Sequence, residues 1–307
     1  MAQYWQSRPC PLCGSTELGD SPEVRAIHPA ESMSWDEVKE SFVGLRKDQA
    51  FFSYYRCQKC ALLYCPLYFS EKQLTDLYSQ MPDNLMGEDK ATASKTQSGY
   101  VRWILGKIPS FNSYLELGPD VGLVTKEVLK RSVIQQLSLV EPNLTVHDEL
   151  RSNSAKVENV EIAYDLAGVK KSGFELVVGI HVLDHLLNPL VDMRDLALKS
   201  RVGAHFGLVV HDEGSLLRRL IRRKWPPFCL QHPQLYNPKT LLAMLNASGW
   251  EMERVGRSIN YFHLNHIAQM GFGVLGLPKA FSKAFPPIES PVFLGNMIAL
   301  AKKNPIN

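Results

Sequence analysis

Short apolar runs, separated by polar turns and helical stretches, dominate the pattern of the chain from about residue 99 onward. The runs lie at 114–117, 137–140, 160–164, 174–179 and 206–210. Runs of this kind are typical of strands that are buried on both faces of a parallel sheet. Residues 96–107 and 189–200 instead predict helices. The alternation predicts an α/β fold with an open sheet.

The first 98 residues follow a different pattern. Residues 35–46 predict a short helix with Val38, Phe42 and Leu45 on one face, and residues 51–56 predict a strand. Residues 70–78 predict a capped helix, whereas residues 79–95 are polar and favour a linker or lid. We therefore expect a small module over 1–70, a linker and lid-helix region over 71–98, and a large α/β domain over 99–307.

A glycine turn and an acidic residue follow the first two predicted strands. Gly118 and Gly122 come directly after the first strand, and Glu141 ends the second. A glycine turn lets the backbone approach a ligand closely, because no Cβ intervenes. A carboxylate one βα unit later can accept both hydroxyls of a ribose. The spacing is neither the dinucleotide fingerprint nor a phosphate-binding P-loop. Together these features predict a cofactor that contains a nucleoside.

The turn resembles the first motif of class I S-adenosylmethionine-dependent methyltransferases, an acidic residue followed by three alternating glycines. The resemblance implies that Glu116 lies near the methionine part of the cofactor and that Glu141 binds the ribose hydroxyls. Asp165, after the third strand, is a candidate for the adenine amine or, alternatively, a helix N-cap. The remaining cofactor-binding candidates of these strand ends are Gly118, Pro119, Asp120, Gly122, Pro142, Gly179 and His181. Asp120 departs from the motif, because the family usually has glycine there.

Three later segments extend the resemblance over residues 99–307. Residues 179–189 are similar to the segment after the fourth strand in the branch that includes the ubiquinone-biosynthesis O-methyltransferases. Residues 231–241 and 247–250 are similar to later segments of that branch, and 294–303 resemble its last, antiparallel strand. The resemblance implies a seven-stranded Rossmann-like methyltransferase sheet with helices on both faces.

Histidines after the fourth strand are the candidates for catalysis. His181 and His185 are four residues apart, so they would share a face if the segment were helical. One of them could remove a proton from the acceptor, hold the acceptor, or be structural. A metal at His181, Asp184 and His185 is an alternative. Further candidates lie downstream: His211 as another base, and His232 and Tyr236 as walls of the acceptor pocket.

Four of the six cysteines form two C-x-x-C pairs, Cys10 with Cys13 and Cys57 with Cys60. In a chain without a secretion signal, such pairs indicate zinc rather than disulfides. Four thiolates match the closed tetrahedral site of a structural Zn²⁺. The alternatives are a metal-free module with inert thiols and an adventitious disulfide. The arrangement resembles the N-terminal zinc module of several bacterial methyltransferases, some of which act on nucleotide-linked sugars, and we predict a zinc-ribbon-like module.

Composition narrows the choice of acceptor. The chain has 307 residues, of which 45% are hydrophobic, and a net charge of only +3, which gives little attraction to nucleic acid. It lacks an apolar run long enough to span a membrane and an N-terminal signal peptide, so we expect a cytoplasmic protein. Residues 213–224 predict a basic helix. Its basic stretch 218–224 is a solvated face, a capped helix C-terminus or an anion site.

These observations favour methyl transfer from S-adenosylmethionine to a hydroxyl or carbon of a small-molecule or glycan acceptor, with a sugar nucleotide as one candidate. One alternative is an RNA methyltransferase that docks RNA on its zinc module. Another is a catalytically silent binding protein, which Asp120 and the altered acidic segment suggest. A homodimer is a candidate for the oligomeric state.

Overall fold

The computed structural model describes residues 5–43, 50–79, 81 and 89–305. Their central feature is a mixed sheet of seven strands. Its strands are β5 (Ser113–Leu117), β6 (Gln136–Val140), β7 (Val160–Ala163), β8 (Phe174–Ile180), β9 (Ser200–His211), β11 (Trp250–Arg257) and β14 (Asn296–Lys303). The strand order is β11-β14-β9-β8-β5-β6-β7. The five strands from β9 to β7 are parallel, and β14 runs antiparallel between β11 and β9. The predicted α/β sheet with an antiparallel last strand is confirmed.

Helices cover both faces of this sheet. The elements α3 (Lys90–Leu105), α4 (Leu123–Leu129) and α5 (His147–Ser154) pack on one face, and α6 (Pro189–Lys199) and α8 (Pro238–Ala247) pack on the other. Side chains of a strand alternate between the two faces. In β14, Met297 and Ala299 accordingly join one core, and Ile298 and Leu300 join the other. Two of the packed helices flank the glycine turn, because α4 follows it and α5 covers it.

The N-terminal residues build small sheets against the main domain. Here β1 (Trp5–Ser7) pairs with β4 (Leu67–Phe69), and β2 (Tyr55–Arg56) pairs with β3 (Leu63–Tyr64). The other edge of β3 pairs with β10 (Gln234–Leu235), which belongs to the segment before α8. An aromatic core that includes Phe42, Phe52 and Phe69 lies between α1 (Trp35–Val43), α2 (Glu71–Ser79) and these strands.

Several predicted boundaries change. The predicted strand 51–56 is reduced to β2, and the predicted helix 213–224 is reduced to α7 (Leu216–Ile221) and a following 3₁₀ turn. The helix before the first strand begins at Lys90, because the Asp89 side chain accepts the backbone N–H of Thr92 as an N-cap. Leu45 and eight of the seventeen residues of the predicted linker or lid, residues 80 and 82–88, lie outside the described residues. Ser70 and Gln73 form the capping box of α2.

An insertion that the sequence did not predict lies between β11 and β14. It contains β12 (Asn260–His263), α9 (Leu264–Leu275) and β13 (Glu289–Val292), and β12 pairs with β13. The insertion contacts α3, since the Asn260 side chain donates to the Tyr100 hydroxyl and the Tyr261 backbone N–H donates to Thr96. No helix in the described part of the chain combines the length and apolarity that crossing a bilayer requires.

Candidate active site

The glycine turn joins β5 to α4 at the carboxyl edge of the sheet. Gly118, Asp120 and Gly122 have φ values of +60°, +52° and +83°. A Cβ at Gly118 would lie 2.7 Å from Val182 Cγ2, and one at Gly122 would lie 2.8 Å from Leu150 Cδ1. Both positions therefore require glycine for conformation and for space. Asp120 adopts the same left-handed region, which aspartate tolerates better than most residues.

Glu141 reaches back from β6 to this turn. One carboxylate oxygen accepts the backbone N–H of Asp120 at 2.8 Å, and the other accepts that of Asn143 at 2.8 Å. Burial raises the pKa of Glu141, although the two N–H groups oppose that effect. The acidic residue and the glycine turn, predicted to form one site, are therefore in direct contact. Pro142 lies between Glu141 and Asn143, and its side chain is half-buried.

Glu116 lies deeper, on the face of β5 that packs against α4. Its carboxylate accepts hydrogen bonds from Tyr114 Oη at 2.7 Å and from Thr125 Oγ1 at 2.6 Å. Burial raises the pKa of Glu116 to about 7, against the effect of the two hydroxyl donors. Glu116 thus ties the strand to the first helix beneath the turn.

The other cofactor candidates are distributed along the same edge of the sheet. Pro119 is buried in the turn, and Gly179 is buried in β8 beside Leu117 of β5. Asp165 is exposed after β7, where its carboxylate accepts the Gly168 backbone N–H at 2.7 Å. Asp165 therefore caps a turn rather than a helix. His181 follows β8 with φ of +53°, and its backbone N–H donates to Val209 of β9 at 2.8 Å.

Four histidines form a row beside the turn. Ring centroids are 4.6 Å apart for His181 and His211, 4.7 Å for His211 and His232, and 4.5 Å for His232 and His185. The segment 181–188 is a series of turns, so His181 and His185 do not share a helical face as the sequence had suggested. His211 and His232 stand between them instead. Val182 of this segment is the side chain that meets Gly118.

A buried carboxylate supports the middle of the row. Asp184 is fully buried, and one of its oxygens accepts both Nδ1–H of His211 at 2.7 Å and the backbone N–H of His211 at 2.9 Å. Burial raises the pKa of Asp184 to about 6, while His232, the His211 backbone N–H and His181 lower it. The imidazole and amide partners thus offset part of the effect of burial on the pKa of Asp184. Such an arrangement is common at catalytic sites.

His185, at the far end of the row, is held by hydrogen bonds on both sides. Its Nδ1 lies 2.9 Å from the Tyr78 hydroxyl, and its Nε2 lies 3.1 Å from Nε2 of His232. His232 is buried, and its Nδ1 lies 2.7 Å from the carbonyl oxygen of Pro227. Tyr236 is fully buried next to the row, in the core between the module and the sheet. Neither the role of Tyr78 nor the contact between Asp184 and His211 could be predicted from the sequence pattern.

The four paired cysteines converge on one point of the N-terminal module. The Sγ atoms of Cys10 and Cys60 are 3.5 Å apart, as are those of Cys13 and Cys57. All four sulfurs lie within 4.8 Å of one another. A tetrahedron of Zn–S bonds of about 2.3 Å requires S···S distances of about 3.8 Å, so the cluster has the size of a zinc site. Burial raises the pKa of the Cys10 thiol.

Comparison with known proteins identifies the large domain. A family model described as a methyltransferase domain matches residues 93–255, more than half of the chain. The chain belongs to this methyltransferase family. The prediction of a class I S-adenosylmethionine-dependent methyltransferase is confirmed. A search of curated proteins found no match.

Solved structures with the same fold are distant in sequence. The magnesium protoporphyrin IX methyltransferase from Synechocystis, solved with S-adenosylhomocysteine, is 11% identical with a TM-score of 0.50, covering 76% of this methyltransferase and 100% of that chain. A chain from the complex between the Haloferax volcanii Trm112 methyltransferase activator and a methyltransferase is 11% identical with a TM-score of 0.52. The alignment covers 74% of this chain and 100% of that one. These similarities establish the fold.

Proposed function

We propose that this methyltransferase transfers the methyl group of S-adenosylmethionine to a hydroxyl or carbon of a small-molecule or glycan acceptor. The observation that carries the proposal is the contact of the Gly118–Gly122 turn with the Glu141 carboxylate and with Val182, the neighbour of His181 in the histidine row. All three lie at the carboxyl ends of neighbouring parallel strands, where α/β sheets bind ligands.

The turn and its surroundings suit the charge of this cofactor. S-adenosylmethionine carries a sulfonium cation, and the buried carboxylates of Glu116 and Glu141 lie beneath and beside the turn. Coulomb attraction is strengthened where water is excluded. We infer that Glu141 binds the ribose hydroxyls, while Glu116 acts near the methionine part by supporting the turn. The other proposed cofactor-contact residues are Gly118, Pro119, Asp120, Gly122, Pro142, Asp165, Gly179 and His181.

The histidine row suits proton removal from the acceptor. Methyl transfer from a sulfonium is an in-line displacement, so the acceptor atom, the methyl carbon and the sulfur must be aligned. A base with a pKa near neutrality adds about 10²–10⁴ in rate when the nucleophile must lose a proton. Imidazole is the side chain whose pKa is best placed for this role. We infer that His181 and His185, the residues suggested by the sequence, belong to the acceptor side of the site.

We propose that Cys10, Cys13, Cys57 and Cys60 hold a structural Zn²⁺. The fit rests on the convergence of four sulfurs and the small size of the cluster. Zinc supplies no step of the transfer in this proposal. It fixes the two cysteine turns, of which the second leads directly into β3. The metal thereby holds the strand that pairs with β10, next to His232.

Calorimetric titration with S-adenosylmethionine and with S-adenosylhomocysteine tests the cofactor assignment. Wild type should bind both at micromolar to millimolar concentration. Glu141→Ala should weaken binding at least tenfold, because the ribose contacts and the anchor of the Asp120 backbone N–H are lost. Glu251→Ala removes an exposed acid on the outermost strand β11 and should leave affinity unchanged.

Absence of binding at millimolar cofactor would overturn the proposed function. Unchanged affinity in Glu141→Ala would overturn the ribose assignment alone. Release of S-adenosylhomocysteine in the presence of sugar nucleotides, compared with unmodified RNA transcripts, decides between a small-molecule or glycan acceptor and the RNA alternative.

A further inference from the structure

We propose that His211 is the general base of the methyl transfer and that the buried carboxylate of Asp184 is its positioning partner. This inference rests on the proposed function, since it names the residue that takes the proton of the acceptor. It assigns the role to a histidine at the end of β9, rather than to His185.

The hydrogen bonds of Asp184 fix the tautomer of His211. An ionised carboxylate only accepts hydrogen bonds, so the ring nitrogen 2.7 Å away, Nδ1, carries the proton. A neutral imidazole then has its lone pair on Nε2. The same carboxylate oxygen also accepts the backbone N–H of His211 at 2.9 Å. Two bonds from one oxygen to one residue hold the ring in a single orientation, as in the aspartate–histidine pairs of hydrolases.

The buried environment makes this pair stable and specific. Asp184 has no exposed surface, whereas 17% of the His211 side chain is exposed. The carboxylate therefore cannot exchange its bonds for water, and the ring still reaches the solvent side. The negative charge of the Asp184 carboxylate, next to Nδ1, stabilises the imidazolium that forms when Nε2 accepts a proton. His211 can thus gain a proton in the transfer and release it to solvent afterwards.

The position of His211 relative to the turn supports a direct role. Strand β9 is adjacent to β8, and β8 is adjacent to β5, which leads into the glycine turn. Val182 touches the Gly118 position, and its neighbour His181 packs its ring 4.6 Å from that of His211. Two consecutive residues, Val182 and His181, therefore connect the cofactor turn to the proposed base. An acceptor on the methyl side of the cofactor would lie within this layer of imidazoles.

The hydrogen bonds of His185 suit a supporting role. The carbonyl of Pro227 only accepts, so Nδ1 of His232 carries a proton, and in the neutral form of this imidazole Nε2 is an acceptor. Nε2 of His185 must therefore be the donor in the 3.1 Å bond between the two rings. The remaining lone pair, on Nδ1 of His185, accepts the Tyr78 hydroxyl. His185 thus holds His232, which packs 4.7 Å from His211.

The step balances without another reactant. As the acceptor oxygen or carbon forms its bond to the methyl carbon, its proton passes to Nε2 of His211. The bond between sulfur and the methyl carbon breaks, and its electron pair remains on sulfur. The products are the methylated acceptor, neutral S-adenosylhomocysteine and an imidazolium paired with Asp184. Loss of the imidazolium proton to solvent restores the enzyme.

Nitrogen-15 NMR of the histidine rings, with S-adenosylhomocysteine bound, tests the pair without knowledge of the acceptor. Wild type should show His211 protonated at Nδ1 at neutral pH. Asp184→Asn should shift the protonation midpoint of His211 to lower pH, because the stabilising charge is gone. The titratable groups facing the ring are Asp184, His181 and His232, so His181→Gln and His232→Gln serve as assignment controls. A wild-type His211 protonated at Nε2, or an unshifted midpoint in Asp184→Asn, overturns the inference.

Turnover with sugar-nucleotide acceptors gives the second measurement. His211→Gln should lower kcat about 10²–10⁴-fold with cofactor Kd within about threefold of wild type. Asp184→Asn should lower kcat at least about tenfold and displace the pH profile, with the same retention of cofactor binding. A larger loss of kcat in His185→Gln than in His211→Gln overturns the assignment, as does a second metal ion per chain that disappears in Asp184→Asn. Calorimetry separates these outcomes from failure of the proposed function, in which wild type does not bind the cofactor.

Discussion

The cysteine cluster and the histidine row are both sets of four metal-binding or proton-binding side chains, but they are assembled differently. The cysteines come from two short turns, each of which supplies a C-x-x-C pair. The histidines come from the ends of β8 and β9 and from the segment before β10. The cysteine cluster can therefore be predicted from local spacing in the sequence. The histidine row forms only because of the strand order in the sheet, so the two sites need different tests.

The largest expected effect is that of breaking the cysteine cluster. Cys13→Ser or Cys57→Ser should abolish stoichiometric zinc and melt the module, because structural zinc contributes on the order of 10 kcal/mol in small zinc-binding folds. Elemental analysis and thermal unfolding measure the outcome. Cys65→Ala, at a buried cysteine outside the cluster, should retain the metal. Well under one zinc per wild-type chain would refute the cluster as a zinc site.

Substitution at Gly118 should have the next largest effect, because it joins the cofactor turn to the histidine segment. In Gly118→Ala the new Cβ would meet Val182 Cγ2 at 2.7 Å while keeping φ at +60°. We expect a loss of about 1–3 kcal/mol in the free energy of unfolding and weaker cofactor binding. The double variant with Val182→Ala relieves the contact and should recover part of both. A single variant with wild-type affinity and stability would show that the turn does not need glycine.

His185→Phe should cost less, since it deletes two hydrogen bonds but keeps the ring volume. It leaves Nε2 of His232 and the Tyr78 hydroxyl without this partner, and the expected cost is about 1–3 kcal/mol. Tyr78→Phe deletes only one of the bonds and should cost about 1 kcal/mol. Chemical denaturation measures both. Equal losses in the two variants would mean that the bond between the imidazoles contributes nothing.

The effect of Glu116 appears only as a pH dependence. Its pKa is raised from 4.5 to about 7 by burial, so the folded protein retains a proton that the unfolded chain has lost. The contribution of protonated Glu116 to the free energy of unfolding is therefore fully present below pH 4.5. It is lost as the pH rises to about 7, by at most about 1.4 kcal/mol per pH unit. Glu116→Gln should remove this slope from the pH dependence of unfolding. A slope that persists in the variant would assign it to another group.

The sequence predicted the sheet well, because buried parallel strands are short apolar runs that need no distant information. It also paired Glu141 with the glycine turn, since both follow consecutive strands and a parallel sheet brings such ends together. It placed His181 and His185 by helical spacing, which failed because the segment folds as turns. Asp184 and His211 are 27 residues apart and meet only because β8 and β9 are neighbours. The insertion between β11 and β14 was not predicted, because none of the family motifs found in the sequence lies within it.

The pairing of β3 with β10 has a consequence for how the polypeptide matures on the ribosome. Residues near the N-terminus contact a segment that is synthesised much later. The Arg8 guanidinium donates to the Gln234 side chain, the Cys65 backbone N–H donates to the carbonyl of Pro233, and the Tyr68 hydroxyl donates to the carbonyl of Leu230. The nascent module emerges with one sheet edge and an aromatic surface uncovered until about 160 further residues have been translated. Zinc bound early would keep the incompletely covered N-terminal module compact during synthesis. Metal depletion during synthesis should therefore lower the yield of folded enzyme more than removal of the metal from the folded protein.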